Sequence, residues 1–154
     1  MSYLEERFLL KQISILVTSS IIWISPPLEA QSLQVNKRKA KQGDAIAQNQ
    51  LGVAYAIGEG VPQNFTTALK WFRLAAEKGY VEAQYNLGIF YLNGEAIEED
   101  YVIAYMWLTL AGEQGNEGAK KNLKFISDHM SADQIAQSEK LVLEWKSKKK
   151  KLPK

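Results

Sequence analysis

Apolar residues in the middle of the chain recur with the spacing of an α-helix. Ala47, Leu51 and Tyr55 follow one another at intervals of four residues, which places them on one side of a helix over about residues 44–57. Gly58 follows directly, and glycine adopts the left-handed conformation that commonly ends a helix. The pattern therefore predicts one amphipathic helix with a defined end.

A second helix is predicted shortly afterwards. Asn64 can cap its first turn, because its side chain accepts a hydrogen bond from a free backbone amide. Small residues on its apolar side allow the two helices to approach closely. Gly79 ends it, and the next helix begins almost at once. The apolar positions of this second helix are Ala68, Phe72, Ala75 and Ala76.

This pair of helices is repeated in the sequence at a constant offset of 36 residues. A period of this length is typical of stacked helical units. The chain is therefore predicted to be an all-α solenoid of antiparallel helix pairs with a right-handed superhelix. The landmarks are Leu51, Gly52, Tyr55, Gly58 and Trp71 in the first unit and Leu87, Gly88, Tyr91, Gly94 and Trp107 in the second.

Less regular segments flank the two complete units. The register continues weakly on both sides, which is typical of the ends of a repeat array. The predicted segments are a partial N-terminal helix or cap at 31–43, the first repeat at 44–80, the second at 81–116, a divergent C-terminal repeat or cap at 117–145, and a basic tail at 146–154.

The repeated pattern, A-x-x-x-L-G-x-x-Y-x-x-G-x-G-V-x-x-[DN]-x-x-x-A-x-x-W-F-x-x-A-A-x-x-G, resembles the Sel-one-like repeat (SLR), a relative of the tetratricopeptide repeat. The second unit departs from it at Ala96, Ile97, Leu108 and Gly112. The resemblance implies a tetratricopeptide-like helical array. It also implies an adaptor or scaffold for other proteins, of a kind that is often bacterial and exported.

The N-terminal segment differs from the repeats. Arg7 and Lys11 precede an apolar run over 13–24, and Leu28-Glu29-Ala30 follows two prolines. Charged, apolar and cleavage regions in this order predict a signal peptide over 1–30, and hence a periplasmic or secreted bacterial protein. An uncleaved anchor and an internal hydrophobic helix are the alternatives.

Charge is distributed unevenly along the chain. Residues 42–145 hold seven basic and fourteen acidic side chains, whereas the tail from Lys146 holds six lysines. An acidic body argues against nucleic acid as a partner, because phosphate binding needs a basic face. The tail itself is predicted to make at most weak contact with anionic surfaces.

A candidate groove for a protein or peptide partner lies on the first helix of each unit. Its positions are on the side opposite Ala47, Leu51 and Tyr55, or opposite their counterparts in the other units. In related superhelices the first helices line the concave surface. The alternative is that these positions only pack first helices against each other. The candidates are Asn49, Val53, Ala56, Tyr85, Ile89, Leu92 and Phe125.

The sequence lacks the residue sets that catalysis or metal binding would need. The sequence contains no cysteine, and its single histidine, His129, is expected to interact with carbonyl groups at a helix end. Glu98-Glu99-Asp100 lacks a calcium-binding loop around it. No catalytic residue, metal or cofactor is predicted. A hydrolase that acts on β-lactams or the cell wall is the alternative function, although no second motif accompanies a Ser-x-x-Lys.

Overall fold

The computed structural model describes residues 28–94 and 96–151. The chain divides into two compact parts, residues 1–34 and residues 35–154, and both repeats lie in the second part. The described residues form seven helices and no strand. These are α1 (Leu28–Lys41), α2 (Ala45–Ile57), α3 (Phe65–Glu77), α4 (Val81–Asn93), α5 (Tyr101–Glu113), α6 (Glu117–Ser127) and α7 (Ala132–Lys151).

The predicted signal peptide lies almost wholly outside the described residues. Only its last three positions, 28–30, are described, and they begin α1. Within the described part of the chain, no helix is both long enough and apolar enough to cross a membrane.

Side-chain caps mark the starts of four helices, whereas Tyr80, which precedes α4, forms no side-chain cap bond among the described residues. The side chains of Asp44 and Asn64 each accept a hydrogen bond of 2.8 Å from a backbone amide three residues later, at the starts of α2 and α3. Asp100 and Asn116 do the same for α5 and α6, at 3.0 and 2.8 Å. The second-helix start predicted from Asn64 and its counterpart is therefore confirmed, as is the all-α solenoid of antiparallel helix pairs.

The two helices of each pair cross at a glycine. A Cβ atom at Gly52 would lie 2.6 Å from the Phe72 ring, and one at Gly88 would lie 2.7 Å from Leu108. No side chain fits at either crossing without movement of the neighbouring helix. The glycine that follows each core leucine is thus required by the close approach of α2 to α3 and of α4 to α5.

The loops within the two pairs follow the same backbone path at one unusual position. Gly60 in the first loop has a φ of 67°, and Ala96, its counterpart in the second loop, has a φ of 64°. An L-amino acid in this left-handed region is strained by about 1–2 kcal/mol. Ala96 is therefore strained at a position where Gly60 is not, although the two residues share one backbone conformation.

Glutamine side chains connect each unit to the one before it. Gln48 Nε2 donates to the Ala40 carbonyl at 3.0 Å, and Gln84 Nε2 donates to the Ala76 carbonyl at 3.3 Å. Gln84 Oε1 also accepts a hydrogen bond of 2.7 Å from Gln114. In contrast, Gln48 Oε1 is buried and has no hydrogen-bond donor among the described residues. The amide of Gln84 thus has a partner on both its nitrogen and its oxygen, whereas the amide of Gln48 has one on its nitrogen alone within the described part of the chain.

The last helix, α7, packs against α5. Ser138 Oγ donates to the Val102 carbonyl at 3.0 Å near the start of α5, and Lys146 Nζ donates to Glu113 at 2.8 Å at its end. The two helices are therefore parallel. Helix α7 continues through Lys151, so most of the segment predicted as a basic tail is helical.

Packing of α7 changes the environment of α5 relative to α3. Trp107 of α5 is only 7% exposed, with its ring 6.2 Å from that of Trp145 between centroids. Trp71, the counterpart of Trp107 on α3, is only partly buried. Helix α5 is buried on nearly all sides because α4, α6 and α7 all pack against it.

Candidate protein-binding surface

One of the predicted groove residues, Asn49, is buried between the first helices. It is 8% exposed, and its Oδ1 accepts a hydrogen bond of 3.0 Å from Asn86 Nδ2. This bond connects α2 to α4. Asn49 therefore links two first helices, and its contact with a partner stays a prediction.

Five further candidates are partly buried and pack against the hydrophobic core. Tyr85 lies against the next unit, because a Cβ atom at Gly118 of α6 would be 3.1 Å from its ring. Val53 and Ala56 pack against the core cluster that spans both units, and Tyr85, Ile89 and Leu92 pack against the cluster formed with α6. Packing against these clusters buries part of each side chain, and the remainder is accessible.

The remaining candidate, Phe125, is 57% exposed on α6. Its ring lies 4.8 Å from that of His129 between centroids, and His129 Nδ1 lies 2.9 Å from the Phe125 carbonyl oxygen. The sequence-based interpretation of His129 as a residue that binds a helix-end carbonyl is confirmed. The pair presents an exposed aromatic surface at the end of the array.

Two exposed isoleucines on α2 were missed by the sequence analysis. Ile46 is 54% exposed and Ile57 is 63% exposed. Together with the partly buried Val53 they lie at positions i, i+7 and i+11, which share one side of a helix. We refer to Ile46, Val53 and Ile57 as the α2 stripe. Its signal in the sequence is that α2 is the one helix among the described residues that contains no charged side chain.

The chemistry available on this surface is that of apolar contact. Its members are aliphatic and aromatic side chains, which bind partners by burial of apolar area. Among the described residues, no group of three or more His, Asp or Glu side chains could hold a metal ion.

The sequence matches one protein family. The family model described as "Sel1 repeat" matches residues 45–80 and 81–116, within one residue of the two predicted units. No curated protein shows significant sequence similarity to the chain.

Two crystal structures have the same architecture. One is c5321, a protective antigen present in uropathogenic Escherichia coli strains and displaying an SLR fold; it is 30% identical, with a TM-score of 0.73, over 82% of this chain and 28% of that chain. The other is a Sel1 repeat protein from Oxalobacter formigenes, 40% identical, with a TM-score of 0.57, over 58% of this chain and 67% of that chain. The present chain thus spans less than a third of the length of c5321.

Proposed function

Because the chain belongs to the Sel1-repeat family, whose members generally act as protein-binding scaffolds, we propose that it is an exported adaptor that binds a protein or peptide through its first helices. The family is typically non-enzymatic. The single observation that carries the choice of surface is the α2 stripe, in which Ile46 and Ile57 are each more than half exposed.

The α2 stripe suits a partner that contributes apolar side chains. Full burial of one large aliphatic side chain stabilises a complex by about 1.5–3 kcal/mol. Because Ile46 and Ile57 are 54% and 63% exposed, burial of their remaining surface supplies about 2–3.5 kcal/mol of the about 8 kcal/mol that a micromolar affinity requires. Phe125 offers a third apolar contact on α6.

The position of α7 supports the same choice. Its packing against α5 already occupies apolar surface on a second helix, including Met106 and Trp107, which are 8% and 7% exposed. That surface is unavailable to a partner while α7 stays in place. The first helices α2 and α6 retain exposed apolar side chains, namely Ile46, Ile57 and Phe125.

Export is proposed from the sequence of the first thirty residues. A basic start, an apolar run over 13–24 and a small residue at Ala30 together have the order of a signal peptide. Removal of that segment would leave Gln31 as the first residue and would shorten α1 to 31–41. The mature adaptor would then act in the periplasm or outside the cell.

The surface can be tested with two matched double variants. Ile46→Asn with Ile57→Asn removes the exposed aliphatic side chains of the α2 stripe. Leu74→Asn with Leu143→Asn removes two comparably exposed leucines, 44% and 66% exposed, on α3 and α7. The experiment is chemical cross-linking of the full chain in an envelope extract, followed by identification of the partner and titration of the purified pair.

We expect the first double variant to weaken partner binding at least tenfold and the second to leave it unchanged, with circular dichroism of both variants like that of the unmodified protein. An equal loss of partner affinity in both double variants would show that the α2 stripe is not the binding surface. Hydrolysis of a chromogenic β-lactam by the purified chain would instead favour the hydrolase.

A further inference from the structure

Basic side chains gather where the second helices end. The turns that connect one unit to the next lie at this edge, which we refer to as the turn edge. The last turns of α1 and α7 contribute most of the cations, and α3 contributes one at its C-cap. The cations of the turn edge are Arg38, Lys39, Lys41, Lys78, Lys146, Lys148, Lys149, Lys150 and Lys151.

Direct contacts hold three of these helix ends together. Lys149 Nζ of α7 donates to the Lys78 carbonyl at the end of α3, at 3.1 Å. Lys78 Nζ in turn donates to the carbonyl of Gly43, two residues after the end of α1. The basic ends of α1, α3 and α7 are therefore neighbours in space, although Lys149 and Lys78 are 71 residues apart in the sequence.

Fewer carboxylates share this edge, and most of them already have partners. Asp44 caps α2, Glu113 pairs with Lys146 at 2.6 Å, and Glu82 accepts a hydrogen bond from Asn116 at 3.3 Å. Glu117 pairs with Lys120 at 2.7 Å, and Glu77 is exposed in the last turn of α3. The nine cations of the turn edge thus outnumber its five carboxylates.

The opposite edge, where the loops within each pair lie, is acidic, and we refer to it as the loop edge. Its segments, 57–65, 93–101 and 127–133, contain no lysine or arginine. A hydrogen bond from Tyr101 to Glu99, together with desolvation and the charge of that carboxylate, raises the pKa of Tyr101 above its usual value. Its described carboxylates are Glu59, Glu98, Glu99, Asp100, Asp128 and Asp133.

We infer that the turn edge docks on a membrane surface of anionic phospholipid, with the acidic loop edge directed away from it. Lysine and arginine side chains near such a surface each contribute about 1 kcal/mol. The loop edge is repelled by the same surface, so the charge separation along the helix axes sets one orientation. This inference is independent of the proposed protein-binding surface, because the α2 stripe contains no charged residue.

A lipid surface fits this edge better than a nucleic acid does. Binding to single strands uses exposed aromatic rings on which bases stack. Trp145, the aromatic residue nearest to the lysines of α7, is already in contact with Trp107 on one side and has Lys149 Nζ 4.9 Å from its ring centroid. The edge offers flexible cations at helix ends, which suit a flat array of phosphate head groups.

Vesicle binding by the full chain tests this inference. The probes are phosphatidylcholine vesicles with and without phosphatidylglycerol, and single-stranded DNA for comparison. The first variant carries Lys148→Gln, Lys150→Gln and Lys151→Gln on α7, and the second carries Arg38→Gln and Lys39→Gln on α1. The control carries Lys121→Gln, Lys124→Gln and Lys140→Gln, which removes the same charge as the first variant from exposed positions elsewhere.

We expect phosphatidylglycerol to increase the affinity and added salt to reverse the increase. The α7 variant should lose at least tenfold in affinity, the α1 variant should lose severalfold, and the control should bind like the unmodified chain. The apolar segment at 13–24 is common to all variants, so differences between them report on the edge. Affinity that does not respond to phosphatidylglycerol, equal losses in the α7 variant and the control, an unaffected α1 variant, or tighter binding to DNA would each overturn the inference.

Discussion

Replacement of Ala96 by glycine should stabilise the protein. Ala96 has a φ of 64° in the loop between α4 and α5, where Gly60 of the preceding unit has a φ of 67°. Its side chain is exposed, so removal of the methyl group forfeits little buried apolar area. The effect of the substitution is therefore determined mainly by the backbone.

Two opposing contributions determine how much Ala96→Gly changes the free energy of unfolding. Relief of the left-handed strain contributes about 1–2 kcal/mol. The greater freedom of glycine in the unfolded chain removes about 0.4–1 kcal/mol of that gain. We expect Ala96→Gly to raise the free energy of unfolding by about 0.5–1 kcal/mol, whereas Gly60→Ala should lower it by a similar amount for the same reason.

Urea denaturation followed by circular dichroism measures both effects. With a slope of about 2 kcal/mol/M, the midpoint should rise by about 0.3–0.5 M for Ala96→Gly. Since the two loops belong to different units, the double variant should have nearly the stability of the unmodified protein. A lower midpoint for Ala96→Gly together with a lower midpoint for Gly60→Ala would show that the loops do not share a strained position.

Three further predictions concern the core, the connection between units, and processing. Leu51→Ala and Leu87→Ala remove side chains that are 2% and 0% exposed, so each should cost about 2–5 kcal/mol in denaturant melts; a cost as small as that of the loop variant Glu59→Ala would contradict the observed helix register. Lys78→Gln should give Gln48 Oε1 the donor that Gln114 gives Gln84, while it removes the exposed hydrogen bond from Lys78 Nζ to the Gly43 carbonyl. Because a buried unsatisfied acceptor costs more than an exposed hydrogen bond contributes, stability should rise by up to about 1 kcal/mol, and Gln114→Lys, the reverse test, should lower it. Intact-mass analysis of chain recovered from the periplasm or medium should give a first residue of Gln31, and recovery of a chain that retains Met1–Ala30 in the membrane fraction would refute cleavage.

The helices of the repeats could be predicted because each depends on local signals. Asn64 and Asp100 cap the second helices where the sequence predicted, and Gly58 and Gly94 end the first helices in the left-handed conformation, with φ of 79° and 68°. These features depend on a few neighbouring residues. Because the same signals recur 36 residues later, each helix is predicted from two separate stretches of sequence.

The environments of individual residues could not be predicted from the repeat alone. Trp71 and Trp107 occupy the same repeat position, yet only Trp107 is covered, because α7 packs on α5 and not to the same extent on α3. Asn49 was assigned to a groove by its position, whereas its bond to Asn86 places it between helices. Both differences arise from contacts between residues more than 30 apart in the sequence.

Packing of α7 also bears on how the array unfolds. In a simple repeat protein each unit contacts only its neighbours, so unfolding can begin at one end and spread from unit to unit. Here Val142 of α7 belongs to the same core cluster as Leu69 of α3 and Met106 of α5, so the C-terminal helix joins both repeats. Fraying of either repeat therefore disrupts a cluster shared with the other, which gives this short array the cooperativity of a globular domain. Contacts over such long sequence separations also slow folding relative to a purely local helical stack.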